Sequence, residues 1–378
     1  FYFFIYMNNA VYGTFVPVYF ESIGFSHTQI GLLLSIGPIV ALLAQPLWGT
    51  VSDRARTKNA VLLLLLAGCA ACMALFPLSA SFLYVLALIC VFMFFQTPVY
   101  AIGDAITLEI LDKRGQGSFS HIRMAGTFGF AVMSVVFGWV ARGHIGWLFP
   151  VNLAVFAVCL LTAARMPKVE GHQTRGRKMH MGMLLRHRRL MLYLALCFVL
   201  QMTLGYYYSF FPLYFQELGA DSAWVGWSMV ASSLSEVPFL LFSAYLFKKV
   251  PIPYILLGSG AVTALRWILF SIVDNPLWVF PIQLLHGLML IVITVTMAIF
   301  INREVPPELK ASGQTLHALL CLGIARVIGS FFGGIAGDAY GLKEVFFYSG
   351  LAAAVCTAVF AAIFLRDRAA GDGGHAES

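Results

Sequence analysis

The chain has 378 residues, of which 60% are hydrophobic and 11% are charged, and its formal net charge is +7. Soluble domains carry about 25% charged residues, so this composition excludes an ordinary soluble protein and indicates an integral membrane protein. We interpret the basic excess as a sign of topology and of contact with anionic membrane lipids, and we expect no nucleic-acid partner.

Twelve apolar runs are long enough to cross a membrane, since a spanning helix needs about 20 mostly apolar residues. The first six spans cover residues 1–21, 28–51, 59–77, 82–111, 119–141 and 145–164. The second six cover residues 190–216, 222–247, 252–273, 276–301, 310–336 and 343–365. We therefore predict an all-α membrane protein with two six-helix halves, 1–164 and 190–365. A basic central loop (165–189) joins the halves, and a polar tail (366–378) follows them.

Nineteen of the 24 lysines and arginines fall in alternate loops and in the C-terminal tail, on one side of the predicted membrane. Positive residues accumulate on the cytoplasmic side, so we predict a multi-pass protein of the cytoplasmic (inner) membrane with both termini cytoplasmic. The seven cysteines all lie in apolar runs, where small packing residues are expected. We accordingly predict no metal site.

The two halves contain a repeat at the junction of their first two spans. Residues 17–31, PVYFESIGFSHTQIG, align without gaps on residues 212–226, PLYFQELGADSAWVG, at an offset of 195. The identical pairs are Pro17/Pro212, Tyr19/Tyr214, Phe20/Phe215, Gly24/Gly219 and Gly31/Gly226. A duplicated six-helix unit in parallel topology predicts a binding site at the interface of the halves, near the middle of the membrane.

Ionisable side chains inside the apolar spans are candidate functional residues, because charge is costly in hydrocarbon. They are Asp104, Arg123, Glu236, Arg266 and Arg326, together with His286 and His317. Counting about 1.5 Å per residue from the intervening loops places Asp104 level with Arg123, and Glu236 level with Arg266. These pairs could be inert ion pairs that lock helices together, or could face a wet cavity. Buried ion pairs are poor stabilisers, which favours the cavity.

Polar residues on the remaining spans extend this predicted cavity. Gln283 and His286 are three residues apart and share a helix face. Arg326 has no acid at a matching depth and could hold an anionic group of a substrate. Five further residues on the first span of each half are predicted to line the cavity: Asn8, Asn9, Tyr12, Gln201 and Tyr207.

The loop between spans 2 and 3 carries a recognisable motif. Gly49, Asp53, Arg54 and Arg56 of GTVSDRARTK match the pattern Gly-x-x-x-Asp-Arg/Lys-x-Gly-Arg-Arg/Lys, with a one-residue shortening and Ala55 in place of the glycine. With its six-plus-six spans, the chain resembles the major facilitator superfamily. The resemblance implies the twelve-helix fold of that superfamily, a gate at this motif, and alternating-access transport of a small molecule. We expect a monomer with no cofactor apart from a coupling proton.

Five stretches narrow the resemblance: GDAITLEI, HIRMAGTFGF, SSLSEVPFLLF, VTALRWILF and IQLLHGLML. They resemble the phenylpropionate-permease branch, which is related to the lactose permease and to nucleoside–proton symporters. The resemblance implies that Asp104, Arg123 and Glu236 recognise substrate, and that Glu236, Arg266 and His286 couple protons. The lactose-type pattern has a second acid one turn beyond the histidine, where this chain has Leu290 or Met289. Coupling is therefore expected to run through Glu236, Asp104 and His286.

The leading hypothesis is a proton symporter for a small organic solute of the aromatic acid, nucleoside or sugar type. The alternative is an efflux antiporter or a lipid transporter of the same fold, although residues 124–138 lack the proline of the Gly-Pro-x-x-Gly antiporter motif. A membrane enzyme or sensor is a remote alternative. The sequence contains no HExxH, GxSxG or GxxxxGK[ST] motif, so we expect no enzymatic activity.

Overall fold

The computed structural model describes residues 1–114, 119–171, 184, 187–306 and 309–373. Within these ranges the chain is helical and has no strand. Twelve helical runs follow one another: α1 (Tyr2–Ser22), α2 (His27–Arg54), α3 (Lys58–Leu75), α4 (Phe82–Arg114), α5 (Phe119–Gly143), α6 (Leu148–Ala164), α7 (Arg188–Glu217), α8 (Ser222–Lys249), α9 (Ile252–Ile272), α10 (Pro276–Glu304), α11 (310–340) and α12 (Leu342–Gly373).

Ten helical runs of the described chain are long and apolar enough to cross a membrane. The other two, α1 and α8, have 21 and 28 residues and are also long enough to cross a membrane. Large apolar side chains such as Leu43, Leu83 and Leu241 are exposed, as expected for helices that face lipid. The predicted fold class, an all-α membrane protein, is confirmed.

The repeat is visible in the backbone at the end of α1 and of α7. Gly24 has φ +87° and Gly219 has φ +89°, a left-handed conformation that other residues rarely adopt. Each helix ends in the same turn: Gly24 N–H donates to Glu21 O (2.9 Å) and Gly219 N–H donates to Gln216 O (2.8 Å). The next helix is then capped at equivalent positions by Ser26 and Asp221, which accept from Gln29 N–H and Trp224 N–H.

Two helical runs are interrupted, although the sequence predicts uninterrupted helices over 276–301 and 310–336. α10 contains a 3₁₀ stretch, Leu284–Leu288, before its last helix begins at Leu290. α11 contains a π-helical stretch, Ala318–Ile324. Neighbouring helices satisfy the backbone groups released in α10, since Met289 O accepts from Ser259 Oγ (3.2 Å) and Gly287 N–H donates to Ser235 Oγ (2.8 Å).

The chain forms two compact units, and their boundary passes through α7 and α8. Unit 1 comprises Phe1–Arg177 and Tyr208–Val230, and unit 2 comprises Lys178–Tyr207 and Ala231–Ser378. In unit 1, α5 and the start of α8 pack closely because Gly138 has no side chain: a Cβ there would lie 2.7 Å from Ser222 O. Arg142 Nη2 and Asp221 Oδ2 form an ion pair of 2.6 Å at the same contact.

Each unit has its own aromatic core. In unit 1, Tyr12 packs on Phe92 with ring centroids 4.8 Å apart, and Phe76 stacks on Phe149 at 5.2 Å. In unit 2, Trp267 and Phe270 pack on Phe346 at 5.6 and 5.3 Å. Interdigitated rings of this kind give each unit a rigid framework for the buried polar groups described below.

The predicted central loop and tail are described only in part. Residues 172–183 and 185–186 of the loop, which include Arg175, Arg177, Lys178 and Arg186, lie outside the described residues, as do residues 374–378 of the tail. α12 continues to Gly373, so the described part of the predicted tail is helical. The apolar run that could span a membrane ends at Arg366, close to the predicted end of the last span.

Candidate functional site

A buried hydrogen-bond network in unit 2 is centred on Arg266 of α9, whose side chain is inaccessible to solvent. Its guanidinium donates from Nη1 to His286 Nδ1 (3.0 Å) and from Nη2 to Gln283 Oε1. The same Gln283 oxygen accepts from the hydroxyl of Tyr207 (2.9 Å). Gln283 and His286 therefore use their shared helix face to hold one cation, in agreement with their three-residue spacing.

Aromatic rings hold the Arg266 guanidinium in place. It lies over Tyr207, Trp267 and Phe270, 4.4, 5.0 and 5.2 Å from their ring centroids. The negative face of an aromatic ring attracts a cation, and the attraction is stronger where water is excluded. Trp267 is itself fixed by a hydrogen bond from its indole N–H to Thr203 Oγ1 (2.9 Å). Arg266 is thus a stationary positive charge.

Glu236 of α8 is the exposed end of this network. Its Oε1 lies 3.6 Å from His286 Nε2, and its side chain is 27% exposed whereas that of His286 is 3% exposed. Glu236 and Arg266 lie on either side of His286, which contacts both, whereas the matching depths in the sequence predict a direct pair. Counting residues along a helix gives depth but not rotation, so it could not place the imidazole between the two charges.

Ser235 and Gly287 bring α8 and α10 together beside the contact between Glu236 and His286, and the sequence pattern does not indicate this role. Ser235 Oγ donates to Ser232 O (2.6 Å) and accepts from Gly287 N–H (2.8 Å). A Cβ at Gly287 would collide with the backbone carbonyl of Ser235. The glycine therefore lets the 3₁₀ stretch of α10 approach the backbone of α8 beside Glu236. A glycine next to a buried histidine was the available signal, but its partner on α8 could not be read from the sequence.

A second arginine site of unit 2 joins α11 to α7. Arg326 donates from Nε (3.3 Å) and Nη2 (3.2 Å) to Gln201 Oε1. The two helices approach closely at glycines, since a Cβ at Gly205 would lie 2.7 Å from Arg326 O. Arg326 lies two residues after the end of the π-helical stretch of α11, and such stretches are frequent at functional sites.

In unit 1, Asp104 and Arg123 both lie beside α1. The Tyr2 hydroxyl donates to Asp104 Oδ1 (2.5 Å), and the Arg123 guanidinium lies 5.6 Å from the ring centroid of Tyr6. Tyr2 and Tyr6 are one helical turn apart and share a face of α1. Among the described side chains no ion pair joins Asp104 to Arg123, so the predicted acid–arginine pair is replaced by two tyrosine contacts. The sequence does not single out Tyr2 as a partner of Asp104, because tyrosine is uncharged and only charged residues stand out in an apolar span.

The three polar residues predicted on α1 occupy different environments. Asn8 and Tyr12 are buried in the core of unit 1, where Asn8 Nδ2 contacts Cys159 Sγ (3.9 Å) and Tyr12 packs on Phe92. Asn9 is half-buried. The α1 residues that contact Asp104 and Arg123 are Tyr2 and Tyr6. Asn9 follows them on the same face, seven residues after Tyr2, whereas the buried Asn8 and Tyr12 lie on a different face.

The predicted gating motif lies at the end of α2. Within the described residues, no ion pair includes Asp53, Arg54 or Arg56, and a Cβ at Gly49 would meet open space. The motif backbone instead contacts the segment after α6: a Cβ at Gly171 would lie 2.5 Å from the carbonyl oxygens of Asp53 and Ala55. Its role as a gate stays a prediction.

These features define a polytopic membrane protein that buries networks of charge inside bundles of apolar helices, as membrane transporters do. The chain belongs to the MFS_1 like family, whose model matches residues 1–348. The maltose permease of Geobacillus stearothermophilus is 26% identical over 379 residues, covering 98% of this chain and 95% of that protein. The probable 3-phenylpropionic acid transporter of Escherichia coli (strain K12) is 24% identical and covers 73% of this chain and 74% of that protein.

The crystal structure of the nucleoside transporter NupG has the same fold, with a TM-score of 0.86 at 18% sequence identity. The match covers 96% of this chain and 97% of NupG. The resemblance predicted from the sequence is therefore confirmed, and the protein is a major facilitator superfamily transporter rather than an enzyme.

Proposed function

We propose that this transporter is a proton-coupled symporter that moves a small polar organic solute across the bacterial cytoplasmic membrane by alternating access. One observation carries the proposal: Glu236 is the solvent-reachable end of a network whose other members, His286 and Arg266, are buried. A carboxylate in that position can exchange a proton with water, while the network behind it responds to the change of charge.

The hydrogen bonds support Glu236, rather than His286, as the group that takes up the proton. An arginine can only donate, so His286 Nδ1 must accept from Arg266 and carries no hydrogen. The neutral tautomer inferred from this network has its hydrogen on Nε2, which faces Glu236. Protonation of Glu236 removes the negative charge that faces this N–H. Coupling requires the two protonation states to differ by at least a few kcal/mol in solute affinity or in the preferred conformation.

For the solute we propose a neutral, hydroxyl-rich molecule of the sugar or nucleoside type. The Asp104 carboxylate can accept from solute hydroxyl groups, and the Arg123 guanidinium can donate to hydroxyl or carbonyl oxygens. Tyr6 and Tyr100, whose rings are 5.6 Å apart, add aromatic surface for a sugar face or a base. An aromatic acid would suit Arg123 but would bring a second negative charge close to Asp104.

Transport by purified protein in liposomes tests the proposal, with an imposed pH gradient as the driving force. In Glu236→Gln we expect uphill accumulation to be lost while solute exchange across the membrane persists. The matched control is Glu344→Gln, which removes an exposed carboxylate at the start of α12 and should leave accumulation unchanged. Normal accumulation by Glu236→Gln, with an unchanged pH dependence, would refute the assignment. Expulsion of solute by an inward proton gradient would identify an antiporter instead.

A further inference from the structure

A cavity of about 440 Å³ lies at one end of unit 2, apart from the network around Arg266. Arg189 at the start of α7 lines it together with Arg303 and Glu304 at the end of α10. Its apolar lining includes Tyr193, Phe300 and Phe364, with the rings of Tyr193 and Phe300 4.5 Å apart. Cavities of roughly 300–1,000 Å³ are the usual size for small-molecule ligands.

We infer that this cavity binds the head group of an anionic phospholipid, with the phosphate on Arg189 and Arg303. Both guanidinium groups are exposed, and among the described side chains neither forms an ion pair with an acid. The guanidinium fork matches a phosphate group in geometry and charge. The apolar wall formed by Tyr193, Phe300 and Phe364 suits the glycerol backbone and the first acyl carbons.

The position of the cavity along the helices agrees with a lipid ligand. Four apolar runs that could span a membrane begin or end beside it: Arg188–Glu217, Ile252–Ile272, Pro276–Glu304 and Leu342–Arg366. The end of a spanning helix lies at the depth of the lipid head groups. Basic pockets between spanning helices at this depth are suited to acidic lipid head groups.

The charges select one class of phospholipid. Two arginines and Glu304 give the cavity a net charge of +1, which a singly charged head group such as phosphatidylglycerol neutralises. The hydroxyl groups of that head group can also donate to the Glu304 carboxylate. Zwitterionic phosphatidylethanolamine would leave the excess positive charge uncompensated. Free inorganic phosphate could reach the arginines but would make no use of the apolar wall.

Lipid titration of the purified transporter in detergent tests this inference, with thermal stability as the readout. The probes are phosphatidylglycerol, phosphatidylethanolamine with the same acyl chains, and inorganic phosphate. A ligand that binds only the folded protein raises Tm in a concentration-dependent manner. We expect this rise with phosphatidylglycerol only. We expect the midpoint of the titration to increase at least about tenfold in Arg189→Gln/Arg303→Gln, because hydrogen bonds to charged groups are lost.

The matched control is Lys248→Gln/Lys249→Gln, which removes the same charge from exposed positions at the end of α8, outside the cavity lining. It should retain the wild-type midpoint. Arg303→Lys keeps the positive charge but lacks the two-pronged guanidinium, so it should give an intermediate midpoint. This milder variant keeps the inference testable if the double variant misfolds. An equal response to phosphatidylethanolamine or phosphate would overturn the inference. An equal loss in the control variant would do the same, because it would indicate general surface charge.

Discussion

Arg266 donates a hydrogen bond to Nδ1 of His286 across 3.0 Å, and this bond determines which imidazole nitrogen faces Glu236. In the proposed mechanism His286 transmits the charge state of Glu236 without taking up a proton itself. Glutamine can imitate a neutral imidazole in this position, since its carbonyl oxygen can accept from Arg266 while its amide group donates to Glu236.

We therefore predict that His286→Gln retains most proton-driven accumulation, whereas His286→Ala lowers the initial rate by about tenfold or more. Alanine leaves a buried guanidinium hydrogen without its acceptor, a loss of about 1.5–3 kcal/mol. Uptake into liposomes under a pH gradient measures both variants. The control is His317→Gln, another buried histidine of unit 2, which should transport normally. If His286→Gln were as inactive as the alanine variant and had lost its pH dependence, His286 itself would carry the proton.

The helical framework could be predicted from the sequence because it depends on local features. Apolar length defines the spans, and turn residues define their ends, as the matching left-handed glycines Gly24 and Gly219 illustrate. The interruptions of α10 and α11 could not be predicted in this way. In an apolar span the hydrophobic pattern is similar on every face, and the break after His286 is stabilised by Ser259 and Ser235, which belong to other helices.

The candidate site was predictable in its membership more than in its pairing. Glu236, Arg266 and Asp104 are recognisable in the sequence because charged residues are costly inside a membrane span and are rarely kept there without a function. Which group contacts which depends on helix rotation, and rotation is set by close approaches at residues such as Gly287. A tyrosine such as Tyr2 is common in membrane helices, so its bond to Asp104 leaves no signature in the sequence.

Gly287→Ala should destabilise the protein, because the new methyl group would collide with the Ser235 carbonyl beside Glu236. Overpacking of this kind costs about 1–3 kcal/mol, and we expect Tm to fall by several degrees. Gly258→Ala is the matched control, since a Cβ at that position of α9 would meet open space. Helix propensity should make the control neutral or more stable by up to about 1 kcal/mol. Thermal unfolding measures both variants, and equal Tm values for the two would contradict the close contact.

The ion pair between Arg142 and Asp221 should make the stability of unit 1 depend on pH. Partial burial favours the neutral carboxyl, but hydrogen bonds from Arg142 and from Trp224 N–H outweigh it and hold the pKa of Asp221 below its usual range. A carboxyl whose pKa is lowered in the folded state contributes its full stabilisation at pH values above its ordinary pKa. That contribution is lost as the pH falls through the lowered value.

Asp221→Asn isolates this effect, because asparagine caps a helix about as well as aspartate but carries no charge. We expect the wild type to have the higher Tm at neutral pH. The difference should shrink as the pH falls below the ordinary pKa of an aspartate and vanish below the lowered pKa of Asp221. Since the Asp221 side chain is 44% exposed, the difference should be small and should shrink at high salt. Asp274→Asn serves as the control, because Asp274 pairs with Lys343 at a highly exposed position, where ion pairs contribute little. A Tm difference for Asp221→Asn that persisted unchanged at acid pH would show that the carboxylate charge is not its source.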